Sequence, residues 1–169
     1  MHIKPYANRI NLKCKFNDDT KPDEDGSFYI PYFNQYQKWR DNSISEAKKL
    51  LSNNKDVLIF SLDIKNYYNS ARINLSNLNS DIGFSDLKYE PIRKIFIEIH
   101  KKYTSHLNKK LDLNIEDGIS IIPIGLVSSG ILSNFYLNEL DKDIDLKLNP
   151  DFYARYVDDI MIVKSCHKK

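Results

Sequence analysis

The sequence predicts an α+β fold, and three patterns lead to this prediction. The run from Asp56 to Asp63 is apolar on both faces and rich in β-branched and aromatic residues, which is typical of a strand covered on both sides. Apolar residues spaced three and four apart predict a long helix that begins near Ser85. Two short apolar segments within residues 152–163 flank an acidic pair and predict a β-hairpin.

The composition is that of an ordinary globular protein. The 169 residues are 41% hydrophobic and 28% charged, and 25 Lys and Arg against 23 Asp and Glu leave a formal net charge of +2. These values exclude collagen-like, coiled-coil and wholly disordered classes. The two cysteines, Cys14 and Cys166, have no partner at metal-ligand spacing, so neither a disulfide framework nor a zinc site is predicted.

The hydropathy of the chain predicts where the protein works. The sequence has no run of about 18 apolar residues, which a membrane-spanning helix would need. Its start, Met1 to Tyr6, lacks the hydrophobic stretch of a secretory signal. We therefore expect a cytoplasmic protein without a membrane partner.

The region before the predicted strand contains a polar loop and a short helix. Residues 17–26 are acidic and turn-forming, which predicts a solvated loop. A helix is expected to begin at Ser43, whose hydroxyl can cap it, and to end at Asn53-Asn54. The apolar residues of this helix are Ile44, Ala47, Leu50 and Leu51.

The long helix predicted from Ser85 carries an apolar stripe and many basic residues. The stripe consists of Ile92, Ile95, Phe96, Ile99, Tyr103 and Leu107. The basic residues and histidines are Lys94, Lys101, Lys102, Lys109, Lys110, His100 and His106. Charges opposite an apolar stripe usually form a solvated face, so we expect the helix to bury the stripe and expose the charges.

The elements that follow are shorter. The pattern predicts a strand over residues 119–122, a glycine-bounded loop over 123–130 and a helix over 131–148. The inner face of that helix is expected to contain Leu132, Phe135, Tyr136, Leu140 and Ile144. In the hairpin after it, the acidic pair Asp158 and Asp159 is expected to lie in the turn.

Three carboxylates in these elements are candidates for chemistry. Asp63 closes a strand, and Asp158 and Asp159 lie at the hairpin tip. Like charges placed side by side raise one another's pKa unless a cation neutralises them. Mg²⁺ prefers oxygen ligands of this kind, and two such ions about 4 Å apart can clamp both oxygens of a phosphoryl transfer. Alternatively the acidic pair is a polar turn without function, because Asp is favoured in turns.

Three stretches around these aspartates have distinctive sequences. Residues 152–163 read Phe-Tyr-Ala-Arg-Tyr-Val-Asp-Asp-Ile-Met-Ile-Val, and residues 60–70 read Phe-Ser-Leu-Asp-Ile-Lys-Asn-Tyr-Tyr-Asn-Ser. Residues 124–137 read Ile-Gly-Leu-Val-Ser-Ser-Gly-Ile-Leu-Ser-Asn-Phe-Tyr-Leu. In this order along the chain they resemble the Tyr-x-Asp-Asp hairpin, the first catalytic motif and the nucleotide-supporting motif of reverse transcriptases. The resemblance covers about residues 56–164.

The resemblance implies an architecture and a metal site. It implies a polymerase palm, an antiparallel sheet with helices packed on one face, over residues 56–169, with partial fingers over residues 1–55 and no thumb. Asp63, Asp158 and Asp159 would be the catalytic carboxylates that hold two Mg²⁺ ions, for which Mn²⁺ could substitute. The main-chain carbonyl of Ile64 would be a further metal ligand.

The resemblance also implies contacts with the nucleotide and the primer. Tyr68 matches the aromatic residue that excludes a ribose 2′-hydroxyl, although it could instead be an ordinary core residue. The other nucleotide-binding residues would be Gly125, Ser128, Ser129 and Gly130. Tyr156 would lie near the primer terminus. Arg155 points to the opposite strand face from Tyr156 by the period of two, so we expect it to pair inside the protein.

One departure from the usual motif indicates a subgroup. Most reverse transcriptases have Pro-Gln-Gly where this chain has Val127-Ser128-Ser129, and that Gln orients nucleotide and template. The Ser-Ser form is similar to bacterial defence-associated, abortive-infection members, which implies a role in antiphage defence. Because ten residues follow Asp159, we expect a fragment that is inactive by itself or needs a partner.

The functional prediction is an RNA-directed DNA polymerase, a nucleotidyltransferase that adds dNTPs to a primer 3′-hydroxyl. Its partners would be an RNA template, a DNA primer or product, and an RNA or protein partner. Two alternatives stay open. One is a catalytically inactive palm that binds nucleic acid or another protein. The other is a fragment of a group II intron or retron reverse transcriptase.

Overall fold

The computed structural model describes residues 4–9, 11, 29–77 and 90–166. The chain divides into two compact units, residues 1–65 with 137–169 and residues 66–136. The elements in chain order are β1 (Lys4–Pro5), α1 (Tyr32–Ser52), β2 (Asp56–Asp63), α2 (Tyr67–Ser70), β3 (Arg72–Asn74), α3 (Glu90–Leu111), β4 (Ile119–Ile121), α4 (Val127–Tyr136), α5 (Asn138–Leu148), β5 (Phe152–Tyr156) and β6 (Asp159–Cys166). A single 3-10 turn, Leu75–Asn77, follows β3. None of the helices in the described part of the chain is long and apolar enough to cross a membrane.

The first unit is built on a four-stranded sheet in the order β1-β5-β6-β2. The pairs β5–β6 and β6–β2 are antiparallel, whereas the short β1 adds to β5 in parallel. The register of β2 and β6 runs from Asp56 opposite Cys166 to Asp63 opposite Asp159. The predicted strand over residues 56–63 and the predicted hairpin over 152–163 are therefore confirmed, and the fold is mixed α and β.

Helices cover both faces of this sheet. On one face, Trp39 and Leu50 of α1 belong to two apolar clusters that also contain Met161 and Val163 of the sheet. On the other face, Ile144 of α5 packs against a cluster formed by Tyr153, Ile160 and Ile162. The expectation that helices pack on one face was wrong, because successive residues of β5 and β6 alternate between two apolar sides.

Strand β2 differs from its prediction in burial. Its side chains were expected to be covered on both faces, but Leu58 is 50% exposed and Phe60 is 46% exposed. In the four-stranded sheet β2 occupies an edge position, with β6 as its neighbour. The apolar run therefore identified the strand correctly. The burial of its side chains depends on which elements pack against it, and a local sequence pattern does not contain that information.

Helix α1 is much longer than predicted. It begins at Tyr32, after an N-cap at Pro31 whose backbone is extended, and it ends at Ser52 close to the predicted end. Ser43 does not cap the helix, because it lies buried in its middle and its hydroxyl donates a hydrogen bond to the carbonyl of Trp39 at 2.8 Å. A serine within a helix can bond the carbonyl four residues earlier. A serine in a helical pattern therefore does not by itself mark the start of the helix. The predicted loop over residues 17–26 lies outside the described residues.

The second unit contains a two-stranded sheet, β3 with β4, beside helix α3. The predicted strand at 119–122 is confirmed as β4. Thr104 of α3 ties the helix to this strand, because its hydroxyl oxygen accepts a hydrogen bond from the amide of Ile121 at 3.0 Å. The buried residues of α3 are His100 and Thr104, whereas Ile95 is 62% exposed and Ile99 is 46% exposed.

The apolar stripe predicted for α3 is therefore correct only in part, because Phe96, Tyr103 and Leu107 are half-buried whereas its isoleucines are exposed. His100, expected on the solvated face, is 1% exposed, and Ile92 of the stripe is 60% exposed. Thr104 faces strand β4, whose Ile121 amide it binds, and Nδ1 of His100 contacts the carbonyl of Phe96 on the helix itself. The predicted helix start at Ser85 lies outside the described residues.

The helix predicted over residues 131–148 is in fact two helices. Leu137 separates α4 from α5, and the two belong to different units. Helix α4 also begins earlier than expected, at Val127, so that residues 127–130 are helical rather than part of a loop. The predicted division into fingers over residues 1–55 and palm over 56–169 stays a prediction.

Candidate active site

Three aspartates, which we call the acidic tip, meet at one end of the sheet in the first unit. Asp63 is the last residue of β2 and Asp159 is the first of β6, and the two are direct partners in the antiparallel register. Asp158 lies in the hairpin turn just before Asp159. The carbonyl of Asp158 accepts a hydrogen bond from the amide of Ile64 at 3.1 Å. The fold therefore links the end of β2 to the hairpin turn.

The electrostatics of the acidic tip reflect this crowding. Burial, and then the neighbouring charges of Asp158 and Asp63, raise the pKa of the Asp159 carboxyl above its ordinary value. Asp63 is exposed, whereas Asp158 and Asp159 are half-buried. Like charges that repel in this way are stabilised by a cation placed between them.

The acidic tip offers oxygen donors of the kind that Mg²⁺ prefers. Within the described ranges, no three His, Cys, Asp or Glu side chains form a ready group for a metal ion. Mg²⁺ is usually held by one or two carboxylates, with water and substrate phosphates completing its shell. The donor chemistry therefore fits a cation that the substrate helps to hold.

The turn that carries the acidic tip has an unusual backbone. Val157 has a φ of 55°, in the left-handed region that β-branched residues rarely adopt. Its carbonyl accepts a hydrogen bond from Nη1 of Arg155 at 2.9 Å. Arg155 itself is fully buried, which confirms the expectation that it pairs inside the protein.

The partner of Arg155 is Asp141, a buried residue of helix α5. The guanidinium donates to both carboxylate oxygens, from Nε at 2.8 Å and from Nη2 at 2.7 Å. The hydroxyl of Tyr153 donates to the same carboxylate at 2.5 Å. Burial, and then the hydrogen bond to Asp141, raise the pKa of Tyr153, so this phenol remains a donor. An ion pair with this bidentate geometry is among the strongest polar contacts in proteins.

Tyr156, the predicted primer neighbour, lies in an aromatic cluster. It is 7% exposed, and its ring contacts the rings of Tyr36 at 5.3 Å and Trp39 at 6.3 Å between centroids. The ring of Tyr32, which is 65% exposed, meets it edge to face at 5.4 Å. The contact of Tyr156 with a primer stays a prediction.

Tyr68 lies in the second unit, at the start of the short helix α2. The turn into this helix uses Asn66 with a φ of 54°. Tyr67 is the buried member of the tyrosine pair, and its hydroxyl donates to the carbonyl of Ser133 at 2.7 Å. Tyr68 is half-buried, with its ring centroid 5.3 Å from that of Tyr67. The core position in this pair is therefore taken by Tyr67.

The other predicted nucleotide contacts also lie in the second unit. Gly125 is exposed with a φ of 95°, and apart from Gly125 and its two chain neighbours no described residue has an atom within 4 Å of the place where a Cβ would stand. Ser129 is buried, and its hydroxyl donates to the carbonyl of Pro123. Ser128 is half-buried and Gly130 is buried, both in the first turn of α4. Their roles toward a nucleotide stay predictions.

Comparison with known proteins decides the family. The family model described as reverse transcriptase (RNA-dependent DNA polymerase) matches residues 15–169. The chain belongs to the reverse transcriptase family. The match includes the acidic tip of the first unit as well as Tyr68 and residues 125–130 of the second.

A curated relative supports the same family. The retron Ec73 reverse transcriptase of Escherichia coli is 30% identical to this chain over 114 residues. The matched region is 64% of this chain and 36% of that protein, so it spans about a third of the relative's length. No solved structure gives a significant match.

Sequence reasoning missed one residue beside this site, Asp141. A signal for it was present, because Asp141 lies four residues after Leu137 and three before Ile144 on the side of α5 that faces the sheet. An ionisable residue at a buried helix position needs a partner of opposite charge. Arg155, which was expected to pair inside the protein, is that partner.

Proposed function

We propose that this chain is the palm, with partial fingers, of an RNA-directed DNA polymerase. It transfers deoxynucleotides from dNTPs to the 3′-hydroxyl of a primer. The observation that carries the proposal is the position of Asp63 directly opposite Asp159 at the end of the β2–β6 ladder. The match of the family model over residues 15–169 supports it.

The acidic tip supplies the charge that this reaction needs. Asp63 and Asp158 hold the divalent cations, with Asp159 as third carboxylate and the carbonyl of Ile64 as a further ligand. When bound, two Mg²⁺ ions activate the attacking hydroxyl and stabilise the pyrophosphate leaving group. The half-buried position of Asp158 and Asp159 excludes part of the water, which strengthens their attraction for a cation.

The second unit supplies the contacts that select the nucleotide. The ring of Tyr68 occupies the space that a 2′-hydroxyl would need, so the protein prefers deoxynucleotides. Gly125, with open space around its Cα, lets a nucleotide approach the backbone. Ser128, Ser129 and Gly130 form the helical turn beside it, and Tyr156 supports the primer.

The proposed partners are an RNA template, a DNA primer or product, and an RNA or protein that completes the complex. The relative is named as a retron reverse transcriptase, which favours a retron among the proposed subgroups. Antiphage defence in the bacterial cytoplasm is the biological role we propose. Mn²⁺ is expected to replace Mg²⁺ because it accepts the same oxygen ligands.

The two ends of β2 provide a matched test of this proposal. Asp63→Asn and Asp56→Asn each remove one exposed carboxylate from the same strand, at opposite ends of its ladder with β6. In the full-length enzyme, we expect dNTP incorporation on an RNA template with a DNA primer to fall by at least ~10³-fold in Asp63→Asn, because a metal contribution of several kcal/mol is lost. Asp56→Asn should incorporate at the wild-type rate.

A second readout does not depend on turnover. Mg²⁺ should raise the thermal unfolding temperature of wild type and of Asp56→Asn but not of Asp63→Asn, because ligands that bind the folded state stabilise it. Wild-type incorporation in Asp63→Asn would contradict the metal site. If Mg²⁺ does not change the unfolding temperature of the wild-type chain, that result would contradict the metal site and favour a non-catalytic module.

The sugar preference can be tested at Tyr68. Tyr68→Ala should narrow the preference for deoxynucleotides over ribonucleotides by at least about tenfold in kcat/KM, since the 2′-hydroxyl then has room. Tyr103→Ala, which removes a half-buried tyrosine ring from α3 in the same unit, is the control and should leave the ratio unchanged. An unchanged ratio in Tyr68→Ala would remove Tyr68 from this role.

A further inference from the structure

The hairpin turn under the acidic tip adopts a backbone conformation that its residue does not favour. Val157 has a φ of 55°, where the Cβ of a β-branched residue crowds the neighbouring peptide group. Such residues persist only where the surroundings hold them in place, and they cluster at functional sites. The residue that follows Val157 is Asp158. An interaction that holds this turn also sets the position of the acidic tip.

Arg155 provides that interaction. Its Nη1 donates to the carbonyl of Val157 at 2.9 Å, while Nε and Nη2 donate to the carboxylate of Asp141 at 2.8 and 2.7 Å. Because the guanidinium is planar and rigid, its bonds to the helix and to the turn cannot change independently. Helix α5 is therefore mechanically linked to the hairpin turn through one side chain.

Asp141, the residue of α5 that binds the guanidinium, is itself held in place. Asp141 is 2% exposed and Arg155 is 0% exposed, so water does not compete for either group. The hydroxyl of Tyr153 occupies a further lone pair of Asp141 at 2.5 Å. The hydrogen bonds from Tyr153 and Arg155 therefore fix the orientation of the Asp141 carboxylate relative to the guanidinium.

Core packing alone does not require this ion pair. The same sheet face already carries apolar packing by Ile160 and Ile162, and apolar residues can often replace a buried ion pair without loss of stability. An apolar pair could not, however, donate a hydrogen bond to the carbonyl of Val157. The feature that requires arginine is its contact with the turn.

We propose that Asp141 and Arg155 are positioning residues, which hold the strained Val157 turn so that Asp158 and Asp159 face Asp63 across the β2–β6 ladder. The proposal rests on the proposed function, since it assigns these residues to the same metal-binding tip. Neither residue contacts the substrate. They act through the backbone of the turn, which is also tied to β2 by the hydrogen bond from the Ile64 amide to the Asp158 carbonyl.

The Ile64 amide provides a direct probe, because its hydrogen bond crosses from β2 to the turn. In Arg155→Lys, which keeps the charge but loses the fork, hydrogen exchange of the Ile64 amide measured by NMR should accelerate at least tenfold. The Ser165 amide, bonded to Asp151 at 2.6 Å at the far end of β6, should change less than twofold. Tyr153→Phe leaves the Arg155 hydrogen bonds to Asp141 and Val157 in place, and its Ile64 amide should exchange as in wild type.

A rescue variant separates positioning from general stability. Glycine accepts a φ of 55° without steric conflict, so a turn with glycine at position 157 depends less on the guanidinium. Val157→Gly placed into Arg155→Lys should return the Ile64 exchange rate to within about threefold of wild type. A role in core stability alone predicts no such rescue. Should Arg155→Lys fail to fold, Asp141→Asn is compared in the same way.

Activity measurements distinguish this proposal from the function on which it rests. With active wild type, Arg155→Lys should lower kcat for incorporation at least tenfold and raise the Mg²⁺ concentration needed for half-maximal rate, with the KM for dNTP within twofold. If Arg155→Lys shows wild-type exchange of the Ile64 amide and wild-type kcat, the positioning role is overturned but the proposed polymerase function is not. A wild-type chain that does not respond to Mg²⁺ but shows the predicted exchange pattern would overturn the metal site of the proposed polymerase and leave the structural link standing.

Discussion

Two buried polar sites in this protein are built in opposite ways. In the first unit, the carboxylate of Asp141 accepts hydrogen bonds from Tyr153 and twice from Arg155. In the second unit, His100 is 1% exposed and uses Nδ1 to contact the carbonyl of Phe96 at 2.7 Å. Its Nε2 finds no hydrogen-bond partner among the described residues.

The difference shows what decides whether a buried ionisable group is charged or neutral. Asp141 and Arg155 remain an ion pair because each supplies what the other lost on leaving water. Among the residues that the structure describes, no opposite charge lies beside His100, and burial lowers its pKa, so the ring remains neutral. The Asp141–Arg155 pair holds the acidic tip in position, whereas His100 contributes mainly to packing.

Breaking the paired site should have the largest effect on stability. Asp141→Ala leaves the Arg155 guanidinium buried without its counter-charge, and we expect the free energy of unfolding to fall by about 3–5 kcal/mol. Urea denaturation followed by circular dichroism measures this change. Leu50→Ala, on the α1 face of the same sheet, should also cost about 2–5 kcal/mol but should leave Ile64 amide exchange unchanged at temperatures where both variants are folded.

Replacing the whole pair should separate stability from position. In Asp141→Leu combined with Arg155→Met, no charge is left unpaired, and the free energy of unfolding should recover by about 2 kcal/mol relative to Asp141→Ala. The turn at Val157 would still lack its donor, so fast Ile64 exchange should persist. Recovery of both quantities would show that the pair serves the core alone.

The unpaired site should produce a small dependence of stability on pH. Because the folded-state pKa of His100 lies below its ordinary value, the unfolded chain takes up a proton below about pH 6.5 that the folded chain refuses. The free energy of unfolding should therefore fall as the pH drops from 7.5 to 5.5, by no more than about 1.4 kcal/mol per pH unit. Urea denaturation at each pH measures the slope.

A pair of histidine variants isolates this effect. His100→Leu removes the titrating ring, keeps the buried volume apolar and should flatten the slope while changing stability at pH 7.5 by about 1 kcal/mol or less. His106→Leu on the exposed side of the same helix is the control and should retain the wild-type slope. An unchanged slope in His100→Leu would mean that other groups titrate in this range.

The correct predictions from the sequence share a physical cause. Strands β2, β5 and β6 were recognised because runs of β-branched and aromatic residues are nearly sufficient to define a strand. The hairpin itself was predicted correctly, but only Asp158 of the acidic pair lies in its two-residue turn, and Asp159, expected there as well, is the first residue of β6. The sequence motifs around Asp63 and Asp158 indicated the family that the comparisons show.

The errors are of two kinds: which side of an element meets another, and where an element begins or ends. Helix α3 buries His100 and Thr104 rather than the isoleucines, because hydrogen bonds to the helix and to β4 outweigh the apolar pattern. Ser43 resembled a helix cap because the sequence does not show that α1 continues back to Tyr32. The break at Leu137 carries no proline or glycine signal.

The sequence by itself determined strands β2 and β4, the hairpin, the family and the three aspartates of the acidic tip, but not strands β1 and β3. The predicted features depend on residues close together in the chain. Only the tertiary structure decided that Asp63 lies opposite Asp159 and that Asp141 holds Arg155 beneath the turn. The partners in these contacts are 14 residues apart in the case of Asp141 and Arg155, and far more for the two aspartates. Such pairs form only when helix α5 and strand β2 pack on one sheet, which no local pattern encodes.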